Sequence, residues 1–97
     1  MKIDPTVGRV VWFWPDASEH ITARVGEPLR ADICAVNSDG TVNLSVNDVR
    51  GVQTTRLNVM LVQPDEPKPE HSFCAWMPYQ KGQAAKTEAL EAAAKTP

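Results

Sequence analysis

Apolar and polar positions alternate along three stretches of this chain, and in a fourth the alternation fails in an informative way. Residues 41–47 (TVNLSVN) set Val42, Leu44 and Val46 against Asn43, Ser45 and Asn47. Successive strand side chains point to opposite faces, so this is a strand with one dry and one wet side. Residues 29–37 (LRADICAVN) place Leu29, Ala31, Ile33 and Ala35 on one face and Arg30, Asp32, Cys34 and Val36 on the other. In residues 52–62 (VQTTRLNVMLV), Leu57, Val59 and Leu61 alternate with Arg56 and Asn58, and Met60 breaks the pattern, which marks a bulge or a strand end. The exception is residues 6–14 (TVGRVVWFW), where Val10, Val11, Trp12, Phe13 and Trp14 put large apolar groups on both faces. One face enters the core. The other needs a cover: the chain's own tail, a second subunit or a ligand.

The punctuation between these runs fixes their order. Pro15 ends the first, and residues 15–28 (PDASEHITARVGEP) form a long polar loop bounded by prolines. Asp39-Gly40 is a strong hairpin signal, and Asp48-Val49-Arg50-Gly51 makes the next turn. Pro64–Glu70 (PDEPKPE) reads as a stiff acidic connector without packing residues. Residues 73–77 form one further strand, within a closing strand or clamp over 72–80, and Gln83–Lys95 is built of helix formers with Glu91 four residues before Lys95. Leu90 is the only large apolar residue of that tail, so it reads as a solvated helix.

Strands over 6–14, 29–37, 41–47, 52–60 and 73–77, with a long first loop and tight later turns, predict a mainly β domain: a small five-stranded SH3-like barrel with a proline-rich connector and a short C-terminal helix. An OB-type barrel would want a helix between its third and fourth strands, where only Asp48–Gly51 is available. The organisation is a barrel body over 1–63, the connector over 64–71, the closing segment over 72–80 and a helical tail over 81–97. Ile33, Ala35, Val42, Leu44, Val46, Leu57 and Val59 are the expected core.

Composition narrows the function. The 97 residues carry a net charge of −2 with no basic block, which argues against a general double-stranded DNA or membrane-surface binder. A domain this small buries a modest share of its surface, and association would stabilise it. Neither a membrane-length apolar run nor a signal segment is present, so a cytoplasmic location is expected. Cys34, Cys74, His20 and His71 add up to four potential ligands, but their spacing forms no metal-binding knuckle; two reduced thiols are the expected state, and no metal or cofactor is expected. Asp16, Glu19 and His20 cluster in the long loop and invite an acid/base reading, yet no nucleophile or oxyanion donor accompanies them, so no catalytic residues are assigned.

The frames PTVGRVVWFWP, NSDGTVNLSVND and CAWMPYQKGQAAKTEALE together resemble a group of small proteins encoded by tailed phages and prophages, over nearly the whole chain. That resemblance implies a phage context and no particular mechanism. More locally, Trp76-Met77-Pro78-Tyr79-Gln80 before a terminal helix looks like the W-x-x-S-Q ending of a phage family of small proteins that sequester nucleotide immune signals. Here Tyr79 stands where the serine would be, and the acidic residues that follow the motif are missing.

The first and last strand-like segments hold Trp12, Trp14, Trp76 and Tyr79, which can form core and tail cover or a stacking surface for a planar ligand. Arg9, Arg24 or Lys81 would then meet its phosphate or carboxylate. The expected function is non-enzymatic: an oligomeric phage or prophage accessory protein of the infected bacterium that binds and inhibits or sequesters a host molecule, such as a nucleotide signal. The alternatives are a virion component (head decoration, connector or tail-associated protein) and a single-stranded nucleic-acid binder, the latter disfavoured by the acidic balance.

Overall fold

A computed structural model describes residues 2–19, 21–24 and 26–94. His20 of the loop cluster and Lys95, the expected partner of Glu91, lie outside the described residues. Six strands, β1 (Val10–Trp14), β2 (Leu29–Val36), β3 (Val42–Asn47), β4 (Gln53–Val59), β5 (Leu61–Val62) and β6 (Phe73–Ala75), are followed by a helix, α1 (Pro78–Ala94). The strands form one sheet in the order β4-β3-β2-β1-β6-β5, antiparallel throughout except for the parallel β5–β6 pair. β4 and β5 stand at opposite ends of that order although only Met60 separates them in the chain. The sheet is therefore curled into a half-barrel whose two end strands meet at Met60, and Cys74 N–H donates to the Met60 carbonyl at 2.9 Å.

The concave face is the core. Val11 and Phe13 of β1, Ala31 and Ile33 of β2, and Val42, Leu44 and Val46 of β3 are all almost fully buried, joined by Leu61, Cys74, Trp76 and Ile3. This face follows the period-2 pattern of each strand. Two departures from the pattern have local causes. In β2, Ile33 pairs with Leu44 but Ala35 with Asn43, so Cys34 is an extra residue and Ala35 is only half-buried. Between β3 and β4, Val42 pairs with Val59 but Leu44 with Arg56, so β4 carries the extra residue.

That second bulge overturns the expected burial of Leu57, which is 64% exposed. Asn58 sits there at φ 55, a left-handed conformation that asparagine tolerates better than most side chains. Its N–H donates to Asn43 Oδ1 at 3.0 Å, and its own Oδ1 accepts from Asn37 Nδ2 at 3.1 Å. Three asparagines from separate segments thus hold the bulge and turn Leu57 outward. The interruption at Met60 is a strand end.

Both tight turns follow their sequence signals. Gly40 (φ 89) and Gly51 (φ 84) occupy the positive-φ position that a Cβ would disfavour. Ahead of each, an aspartate fixes the turn: Asp39 Oδ1 accepts from the Thr41 N–H and hydroxyl, and Asp48 Oδ1 accepts from the N–H groups of Arg50 and Val52.

Helix α1 starts at Pro78, earlier than the tail expected from residue 81. Proline suits the first helical position, and Gln80 reaches back to accept the Met77 N–H at 2.7 Å, one half of a capping box. Gln80 Nε2 also donates to the Val10 carbonyl, which ties the first turn to β1. Ala84 packs against the core, whereas residues 85–93 are all exposed, Leu90 at 69%. No helix among the described residues is long and apolar enough to cross a membrane.

Candidate functional site

β1 decides where aromatic groups are presented. Val11 and Phe13 enter the core, so alternation sends Val10, Trp12 and Trp14 to the convex face, where each remains partly exposed. Trp12 lies opposite Arg30 on β2 and Ala75 on β6, and Trp14 lies opposite Phe73. The Trp12 and Trp14 rings meet edge to face at 6.4 Å, and Trp14 stacks on Phe73 at 6.3 Å with 16° between planes. These distances and angles fall among the preferred aromatic arrangements.

Two cations flank this row. Lys68 Nζ stands 5.5 Å from the Trp14 ring centroid, within cation–π range. The connector therefore does have a packing residue, contrary to the reading of Pro64–Glu70 as a bare spacer, and it covers part of the convex face from within the chain. Across the strand from Trp12, Arg30 is exposed and pairs loosely with Asp32 at 3.4 Å.

The seven residues singled out from the sequence do not form one site. Trp12 and Trp14 share the convex platform, and Trp14 also lines an open groove of about 500 Å³ with Arg24 of the long loop. Trp76 is in the core, 1% exposed, with its indole N–H donating to Gln63 Oε1 at 3.3 Å, so its ring offers no stacking surface to a ligand. Arg9 lies over that ring, its guanidinium carbon 5.9 Å from the centroid. Tyr79, 74% exposed on the first turn of α1, lines with Arg9 a separate open cleft of about 850 Å³. Lys81 is half-buried on α1 and lines neither of these hollows. Reasoning from the sequence missed Phe73, Lys68 and Arg30. Phe73 and Lys68 had signals, an aromatic next to the closing strand's core residue and the connector's one cation.

The loop carboxylates are engaged in holding the fold. Asp16 accepts from the Ser18 hydroxyl and N–H and from the Ser72 N–H, which hold its carboxyl below the usual aspartate value despite some desolvation. Glu19 binds Arg56 Nε at 2.7 Å and accepts from the Ser72 hydroxyl at 3.0 Å. Loop, connector end and β4 are thereby knitted together.

Both cysteines are free. Cys34 is exposed at its bulge, while Cys74 is buried and its thiol is pushed up to about 12 by desolvation. Among the described residues no group of three or more His, Cys, Asp or Glu side chains is placed to hold a metal ion. A scan of family models and searches of curated proteins and of solved structures match nothing to this chain.

Proposed function

We propose that this chain is a non-enzymatic phage or prophage accessory protein that works in the cytoplasm of the infected bacterium, binding and sequestering a planar anionic host molecule, such as a nucleotide signal, on the convex face of β1. The observation that carries this reading is the Trp12–Trp14 row, left partly exposed and flanked by Arg30 and Lys68. A base stacked on an exposed indole gains about 1–3 kcal/mol. Arg30 and Lys68 stand on either side to take the phosphate. The same apolar face suits association of two copies, which would complete its cover.

The fold proposal is finer than the half-barrel itself. Taken as one bent strand, β4, Met60 and β5 would close a five-stranded SH3-like barrel, with residues 15–28 as its long first loop. The strand order and the single-residue junction support this. A second reading, a virion component, is favoured by one observation: residues 85–93 of α1 are all exposed to solvent, a surface against which a larger assembly would pack.

Calorimetric titration with a panel of mononucleotides and cyclic dinucleotides, read in parallel by tryptophan fluorescence, tests the first reading. Heat and quenching that disappear in Trp12→Ala support it. Silence by both methods at about millimolar ligand, weaker than any useful sequestering affinity, rejects it in favour of a protein partner.

A further inference from the structure

The larger cleft, away from the tryptophan platform, runs between the N-terminal segment and α1. Its lining includes Arg9 and Tyr79 at one end and Glu88 and Glu91 further along the helix. From Tyr79 to Glu91 the helix rises about 18 Å. The cleft is open and long, with polar and apolar groups in about equal measure on its walls, unlike the enclosed and mostly apolar pockets that hold small molecules.

Arg9 is preorganised. Its Nε donates to Thr6 Oγ1 at 3.0 Å and its guanidinium lies over the buried Trp76 ring, while its terminal nitrogens donate to no described residue. A guanidinium held in this way offers a ready fork for a carboxylate. The opposite wall has a matching edge. Ile3 exchanges both backbone hydrogen bonds with the Gln63 side chain, N–H to Oε1 and carbonyl from Nε2, each at 2.9 Å. The backbone groups of Lys2 and Asp4, on either side of Ile3, bond to no described backbone group and are left for a partner chain.

From this juxtaposition we infer that the cleft binds an extended peptide segment of a partner protein, about five or six residues long at the rise of an extended chain. An acidic group of that segment sits on Arg9, and a lysine or arginine lies toward Glu88 and Glu91. The N-terminal segment supplies backbone pairing, as in strand addition to a sheet edge. The charges at the two ends set the direction of the bound chain.

The test uses the full chain and three labelled hexapeptides, DSVTSK, KSVTSD and the neutral NSVTSQ, followed by fluorescence anisotropy. One of the two charged peptides is expected to bind at least about ten-fold more tightly than the neutral one, the size of effect a charged fork makes. Glu88→Gln combined with Glu91→Gln, at exposed helix positions that leave folding intact, is expected to weaken that peptide by about three-fold or more. Arg9→Lys, which keeps the charge and loses the fork, should weaken it further. Trp12→Ala should leave it unchanged, which separates this site from the proposed nucleotide platform. Equal binding of all three peptides, no binding at millimolar peptide, or indifference to the glutamate pair overturns the inference.

Discussion

Arg56 and Glu19, 37 positions apart, form a 2.7 Å ion pair that fastens the long first loop to the end strand β4. Arg56 pairs with Leu44 on the core-facing side of β4, so its charge is partly withdrawn from water and depends on Glu19. Arg56→Ala should destabilise the fold by about 1–3 kcal/mol, the cost of leaving a charged group's partner unsatisfied. Combined with Glu19→Ala in a double-mutant cycle followed by urea unfolding, the two losses should fall short of additive. Strict additivity would show that the pair is not coupled.

Leucines at two neighbouring rungs should behave in opposite ways. Leu44 is 1% exposed and Leu57 is 64% exposed. Leu44→Ala should cost about 2–5 kcal/mol through lost transfer energy and the cavity left behind. Leu57→Ala should stay within about 0.5 kcal/mol of the parent. Comparable thermal shifts for the two would mean that the β4 bulge is misplaced.

Acid should unfold this domain through its turn aspartates. At Asp48, burial opposes ionisation, but the Arg50 side-chain hydrogen bond, the Val52 and Arg50 N–H groups and the Arg50 charge outweigh it and leave its carboxyl below 3.8. Asp39 is lowered by the Thr41 hydroxyl and N–H, and Asp16 by Ser18. A carboxyl whose folded value lies below its unfolded one stabilises the fold fully above the unfolded value and loses that contribution as pH falls through the folded one. Thermal midpoints should therefore be flat above about pH 5 and fall steeply below about pH 4. Asp48→Asn should shallow the fall while lowering the plateau.

The two thiols should differ in accessibility to an alkylating reagent. Cys34 is exposed, whereas Cys74 is buried with its thiol raised to about 12. The thiolate is the reactive species. Iodoacetamide at neutral pH should therefore label Cys34 in the native protein, and Cys74 only after denaturant is added, as read by intact-mass spectrometry. Labelling of both at equal rates in the folded state would place Cys74 outside the core.

The concave face was legible because period-2 patterning is a direct readout of burial: Val42, Leu44 and Val46 alternate in the sequence and are all 0–1% exposed. Leu57 was misread because a bulge adds one residue without changing composition, and the asparagines that hold it come from three separate segments. The split of the aromatic set has a similar origin. Chain order allows the first and last strands to pair, as β1 and β6 do, but Trp76 lies one residue beyond β6 and enters the core, while alternation keeps Trp12 and Trp14 outside. Lys68 could not be placed, because a proline-rich connector has no periodicity to report which way it lies.

The single residue between β4 and β5 makes chain length at that point discrete. Val59 and Leu61 both face inward, one on each end strand of the sheet, and one intervening residue keeps that parity. Side-chain replacement of the half-exposed Met60 leaves the parity alone. Deleting it, or adding a neighbour, would exchange the faces of Leu61 and Val62, both buried, and take Leu61 out of the core cluster to which it belongs. At position 60 the protein is open to substitution and closed to insertion and deletion, so variation there should be written only in residue type and never in length.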